Sequence, residues 1–281
     1  MKDSLNIAIA GATGYVGIEL VKILITHPKA KIVYLCAVKS VGKNIKYFDN
    51  KIKKTLPKIS SLNKIDWKKI DIIFSALPNG EAQKIAKRIP SNVKLIDLSA
   101  DFRFNNHKLY KKHYKINHSC KSLIKKSIYS VTEFSRDKLA KYNIISCPGC
   151  YPTSVQLPLI PLLKAKLINT NKIIIDSKSG YSGAGRKIEK RLKEKNFLNS
   201  ISAYGVGNHR HAPEINQELS KASQRKINVH FTPHILPIYR GILSTIYLDL
   251  VKNCNAKKVY NFLKKYHKNN SFITISKFNT S

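Results

Sequence analysis

A 281-residue chain with 43% hydrophobic residues holds enough apolar material for two modest domains, which excludes disorder as its default state. Five cysteines dispersed over that length do not form the dense framework of a small secreted domain, so reduced thiols are expected. The formal net charge of +35 raises a nucleic-acid reading, but lysine is scattered through KIKKTLPK, IDWKKI, KLYKKHYK and FLKKYHKNN without a stripe or an aromatic platform, so solvated faces and no nucleic-acid partner are expected.

The N-terminus, MKDSLNIAIAGATG, passes straight into a strand pattern, and no later stretch approaches about eighteen uncharged apolar residues. A soluble, cytoplasmic protein with no membrane partner is the expectation. Apolar strand runs and helical patterns then alternate: LNIAIA, VGIELVKILITH, KIVYLCAV, DIIFSAL, EAQKIAKRI and VKLIDLS. That order predicts an α/β fold whose first domain, residues 1–148, is Rossmann-type with a parallel sheet and crossover helices. Beyond CPGCYPT the strand patterns lengthen, as KIIIDSKSGY, NVHFTPHILPI, GILSTIYLDLV and FITISKF. They predict an α+β domain with a mostly antiparallel sheet over residues 149–281.

Directly after the first strand comes GATGYVG, with glycines at 11, 14 and 17 opening a helix. Glycine lets the backbone turn tightly against a pyrophosphate, and the helix N-terminus stabilises its charge. Gly11, Thr13, Gly14, Tyr15, Val16 and Gly17 are therefore assigned to a dinucleotide. After the second strand, where an acid would accept the ribose hydroxyls of NAD, the chain carries Lys39 and Ser40. A cation and a hydroxyl suit a 2′-phosphate, so NADP(H) is the expected cofactor. Pro78, at the end of DIIFSALPNG, is placed at the cofactor's border.

The stretch IISCPGCYPTSVQLPL sets Cys147 and Cys150 three apart. A redox pair would belong to a small thioredoxin-like unit, and a zinc site would need further ligands from Cys120, His209 and His211, which show no ligand spacing, so no metal is expected. The third reading is asymmetric. Cys147 ends an apolar strand as an inert neighbour, whereas Cys150 follows Pro148 and Gly149 and opens a helix whose first turn accommodates Pro152. A helix N-terminus favours the thiolate, the attacking form. A nicotinamide paired with a cysteine points to hydride transfer through a thioester.

Taken in order, GATGYVGIEL, LPNGEAQ, IDLSADFRF, YSVTEF, CPGCYPT, SGYSGAGRK, GNHRHAPEINQEL and FTPHILPIYRGILSTIY resemble the N-acetyl-γ-glutamyl-phosphate reductase family, NADPH-dependent enzymes of arginine biosynthesis. Aspartate-semialdehyde dehydrogenases share the glycine turn, the cysteine and an SGAG-type loop, but HRHAPEI and PGCYPT favour the glutamyl family. The resemblance implies that Cys150 displaces phosphate from the acyl phosphate and that NADPH reduces the thioester to N-acetylglutamate 5-semialdehyde. It implies His209, with His211 as the alternative, for acid/base work, and Glu214 to orient one of them; Glu214 also fits a plain first-turn helix acid.

Arg103 is expected to grip a substrate carboxylate or phosphate, or else to pair with Asp101 or Glu133, and His211 and Arg186 to join it on the substrate. Ser182 and Gly183, beside Gly185, are expected to let the nicotinamide approach. Arg240 is expected to anchor a loop, and the resemblance implies a homo-oligomer, dimer or tetramer. Two alternatives stay open, an aspartyl-phosphate reductase and a degenerate NADP-binding non-enzyme. The chain ends at FITISKFNTS, short of the last strands and helix that the resemblance implies. A truncated second domain, an uncovered apolar face on the first and weak activity or aggregation are therefore expected.

Overall fold

The alternation of β-type and helical patterns in the first half folds as a doubly wound sheet. The computed structural model describes residues 3–185 and 197–278 and divides into two units, Met1–Pro148 and Gly149–Ser281. The first contains β1 (Leu5–Ala10), α1 (Tyr15–Thr26), β2 (Ala30–Cys36), β3 (Ile72–Ser75), α2 (Glu81–Ala86), β4 (Lys94–Asp97), α3 (His107–Tyr114), α4 (Lys121–Ile124), β5 (Ser127–Tyr129), α5 (Thr132–Ser135) and β6 (Ile144–Ser146). Its six strands lie in the order β2-β1-β3-β4-β6-β5, every pair parallel.

Strand periodicity explains both faces of this sheet. Ile7 and Ile9 point to the side packed by Ile18, Val21 and Leu24 of α1, while Ala8 and Ala10 point to the side holding Ile73, Leu95 and Ile85. Each fully buried aliphatic side chain contributes about 1.5–3 kcal/mol over its exposed form. The order reverses between β2 and β3 around β1, and the carboxyl end of β1 is where such sheets bind ligands.

The second unit contains α6 (Cys150–Lys164), β7 (Ile168–Gly180), β8 (Ser202–Ala203), α7 (Ala212–Ser223), β9 (His230–Leu236), β10 (Ile242–Leu250) and α8 (Ala256–Tyr266). Its four-stranded sheet runs β10-β7-β9-β8. The β10–β7 and β8–β9 pairs are antiparallel, but the central β7–β9 pair is parallel, so the sheet is mixed. The connection from β7 to β9 includes the helix α7, the kind of long link that parallel strands require.

The one departure in this unit is FITISKF, residues 272–278, which forms no strand among the described residues. Ile273 instead donates its amide to the Asn270 carbonyl in a turn, and Phe278 lies on the Tyr260 ring of α8, with their centroids 5.4 Å apart. Period-2 alternation makes a strand only where the segment reaches a sheet edge, and after α8 this segment packs against Tyr260 instead of pairing with the edge strand β10. Among the described residues no helix is long and apolar enough to cross a membrane.

The helix bearing the opening cysteine breaks an ordinary rule. Pro158 and Pro161 both lie inside α6, and each removes a donor that would have served a carbonyl one turn back. For Pro161 that carbonyl is Leu157, and the His267 imidazole supplies the missing bond from Nε2 at 3.1 Å. Further along the helix axis a chain of hydroxyls, Ser154 to Ser244 and Ser244 to Ser177, each 2.7 Å, joins α6 to β10 and β7. A helix so fixed holds its first residue in one place.

Candidate active site

Cys150 is the first residue of α6 and is exposed. Gly149 stands at the N-cap in extended conformation with no side-chain cap. What fixes the turn comes from α7. Glu214, fully buried in the first turn of that helix, accepts the Gly149 amide at 2.8 Å. The His211 ring packs on Gly149 so closely that a Cβ there would stand 2.6 Å from Nε2. Only glycine fits between imidazole and backbone at this point.

Around the sulfur lies a cavity of about 510 Å³ lined by Cys150, Ser179, Gly183, Tyr204, His209 and Arg210 among others. Tyr151, buried behind Cys150, shares a 2.9 Å hydrogen bond with the Tyr204 hydroxyl. Burial first, and that hydrogen bond second, push the Tyr151 phenol well above its ordinary pKa, so it stays protonated. Tyr151, Tyr204, His211 and Phe231 all meet the His209 ring edge to face, with centroids 4.9 to 5.6 Å away. This apolar enclosure lowers the His209 pKa to about 4, with the Arg210 charge adding to the effect. The imidazole is therefore neutral at pH 7. Its Nδ1 accepts the His211 amide at 3.1 Å, which leaves the proton of the neutral ring on Nε2.

The two cysteines of the motif separate as their environments require. Desolvation, then the Asp97 charge, push the Cys147 thiol up to about 11. At the same end of the first unit, Arg103 is buried and donates from Nε to the Cys147 carbonyl at 2.9 Å and from Nη2 to the Leu98 carbonyl at 3.1 Å. Asp101, the partner considered for it, accepts from the Gly80 and Gln83 amides and the Tyr110 hydroxyl. Arg103 thus braces the chain ahead of Cys150 through backbone oxygens. Arg186 lies outside the described residues.

At the other candidate site, Gly11 follows β1 with φ +85°, and a Cβ on it would lie 2.4 Å from the Ala76 carbonyl oxygen. Gly17 in the first turn of α1 faces the Gly11 carbonyl at 2.2 Å by the same measure. α1 begins after Gly14 with no side-chain cap, and Val16 in its first turn is 53% exposed. Pro78 is exposed beyond β3, whose neighbour Ala76 touches the glycine turn; Lys39 is exposed and Ser40 half-buried beyond β2. Ser182 and Gly183 belong to the second unit, where the Ser182 amide bonds the Tyr239 carbonyl at 2.9 Å and Gly183 lines the Cys150 cavity. Gly180 lets the backbone of Arg240 approach: a Cβ there would lie 2.8 Å from the Arg240 nitrogen.

Residues 6–142 match the family model for the semialdehyde dehydrogenase NAD binding domain, and residues 150–281 match the semialdehyde dehydrogenase dimerisation domain. The N-acetyl-gamma-glutamyl-phosphate reductase of Ehrlichia canis is 43% identical over 278 residues, 98% of this chain and 80% of that protein. The chain belongs to the N-acetyl-γ-glutamyl-phosphate reductase family. Another relative, a probable chloroplastic reductase of Arabidopsis thaliana, is 39% identical over 98% of this chain and 69% of its own length. In fold the chain resembles aspartate semialdehyde dehydrogenase II of Vibrio cholerae in complex with ASA, with TM-score 0.70 and 19% identity over 94% of this chain and 80% of that one.

Membership makes the protein an NAD(P)-dependent oxidoreductase that acts on an acyl phosphate. The glycine turn of this reductase fits a dinucleotide, because both close approaches to it are by backbone atoms that a side chain would displace. Tyr151 lines the Cys150 cavity beside Tyr204 and Arg210 without having been assigned a role from sequence. Tyr151 adjoins the cysteine in the chain, but the bond that gives it meaning is to Tyr204, 53 positions away.

Proposed function

We propose that this reductase converts N-acetyl-γ-glutamyl phosphate to N-acetylglutamate 5-semialdehyde and phosphate, with NADPH as reductant and Cys150 as the covalent carrier. One observation carries the reading. In a chain of this family the exposed sulfur at the N-terminus of α6 shares its cavity with a neutral imidazole whose Nε2 holds a proton. The Cys150 thiolate attacks the acyl carbon, a C–S bond forms, the C–O bond to phosphorus breaks and phosphate leaves with the electron pair. When bound, the nicotinamide supplies hydride. Cys150 would hold the acyl group as a thioester for that reduction, and its sulfur would leave as the thiolate when the C–S bond breaks and the aldehyde forms.

His209, its second proton already lost at neutral pH because burial lowers its pKa to about 4, donates the remaining Nε2–H of the neutral ring to the oxygen that becomes negative in both tetrahedral states. Glu214 serves as a positioning residue through the Gly149 amide. Gly11, Thr13, Gly14, Tyr15, Val16 and Gly17 hold the dinucleotide, and the exposed Lys39 with Ser40 selects NADP through its 2′-phosphate. Arg103 acts by bracing the chain before Cys150. The match to a dimerisation domain supports a homo-oligomer.

The reverse reaction tests the reading. NADPH should form only when N-acetylglutamate 5-semialdehyde, phosphate and NADP are all present, and more slowly with aspartate semialdehyde. Equal or better turnover of aspartate semialdehyde would replace the substrate assignment, and a preference for NAD would remove Lys39 and Ser40 from the cofactor site.

A further inference from the structure

Arg210 has no role in the chemistry so far. It directly follows His209, is exposed, and lines the cavity that holds Cys150. Of the described residues lining that cavity it alone is Lys, Arg, Asp or Glu. None of the ion pairs among the described residues engages it. Its charge nevertheless reaches inward. It opposes protonation of His209, and it favours ionisation of the Tyr204 phenol, a group that also feels Cys150. The guanidinium thus lies within electrostatic range of two rings that line the sulfur's cavity.

A planar cation at the rim of a cavity containing a nucleophile is a receptor for a carboxylate or a phosphate. On the proposed function the substrate offers one of each. Its phosphoryl group sits on the carbon that Cys150 attacks and departs in the first step. Its α-carboxylate is at the far end of the glutamyl chain and stays through both steps. A fixed, exposed cation lining that cavity suits the group that remains. We propose that Arg210 binds the α-carboxylate of the substrate and thereby aligns the acyl carbon with Cys150, an inference that rests on the proposed function.

The clamp can be read without any substrate. Iodoacetate carries a carboxylate and iodoacetamide does not, and modification of Cys150 by each is followed on its peptide by mass spectrometry at neutral pH. In Arg210→Gln the ratio of the iodoacetate rate to the iodoacetamide rate should fall about tenfold, the loss expected for one charge-assisted hydrogen bond. Any change in thiolate population affects both reagents equally and cancels in the ratio. Arg210→Lys should keep part of the preference.

In the reverse reaction, Arg210→Gln should raise KM for the semialdehyde about tenfold while KM for phosphate stays within about twofold. Equal alkylation ratios in wild type and Arg210→Gln would overturn the clamp. A rise confined to KM for phosphate would overturn the carboxylate assignment. If wild type shows the alkylation preference but no turnover of the semialdehyde, the anion site stands and the proposed function falls.

Discussion

Helices α1 and α6 each begin right after a glycine in extended conformation, Gly14 and Gly149, and their surroundings differ in kind. The turn into α1 is shaped by backbone against backbone, with Gly11 against the Ala76 carbonyl and Gly17 against the Gly11 carbonyl. The turn into α6 is gripped by side chains, with the Glu214 carboxylate on the Gly149 amide and the His211 ring on its Cα. A long diphosphate needs a smooth backbone shape and tolerates many flanking residues. A single sulfur needs to be aimed, so particular side chains close on it.

The largest effects should separate the two turns. Cys150→Ala should lower kcat by about 10⁴-fold or more, since no other group can carry the acyl chain, yet leave NADPH affinity, measured by nicotinamide fluorescence, unchanged. Gly149→Ala should cost about 10²-fold or more in kcat, because its Cβ meets the His211 ring at 2.6 Å and displaces a neighbour of the sulfur. Its NADPH affinity should also hold. Gly17→Ala should do the converse, weakening NADPH while iodoacetamide still modifies Cys150 at the wild-type rate. Equal damage by Gly149→Ala and Gly17→Ala to both readouts would erase the distinction between the turns.

Smaller effects sharpen it. Glu214→Gln keeps an acceptor for the Gly149 amide and removes a buried charge, so kcat should fall about tenfold with KM little changed; a larger rise in KM than fall in kcat would move Glu214 from positioning to substrate contact. With His209 neutral down to about pH 4, kcat/KM should show no acid limb near 6.5, and Arg210→Gln should move any acid limb upward. For stability the sign is the reverse of the usual carboxylate. Burial holds Asp97 at about 6 against 3.8, so the folded state binds more protons between those values, and its stabilising contribution is present below 3.8 and lost as pH rises through about 6. Asp97→Asn should therefore raise Tm at pH 7 by about 2–4 °C while leaving it unchanged or lower near pH 4.

Much of this was legible because it is local. The glycine spacing after β1, the alternation of strands and helices, and a cysteine followed by Pro152 at a helix start are read within a few residues, and each comes from backbone rules that neighbours do not override. The parallel pairing of β7 with β9 was not legible, because the crossover through α7 shows only when the helix and both strands are placed together. FITISKF misleads for a related reason: alternation says which face a strand would bury but not whether the chain brings it to an edge. Arg103 looks from sequence like a ligand-binding cation, and its bonds to the Cys147 and Leu98 carbonyls show only once the fold is placed. The Tyr151, Tyr204 and His209 cluster joins residues 53 and more positions apart, beyond the reach of any local pattern.

The most direct test of the central claim is the mass of the protein after mixing with N-acetyl-γ-glutamyl phosphate in the absence of reductant. The account predicts one N-acetylglutamyl adduct, located on the Cys150 peptide, missing from Cys150→Ser and discharged as the semialdehyde when NADPH is added. An adduct on another residue, or turnover by Cys150→Ser at the wild-type rate, would contradict it.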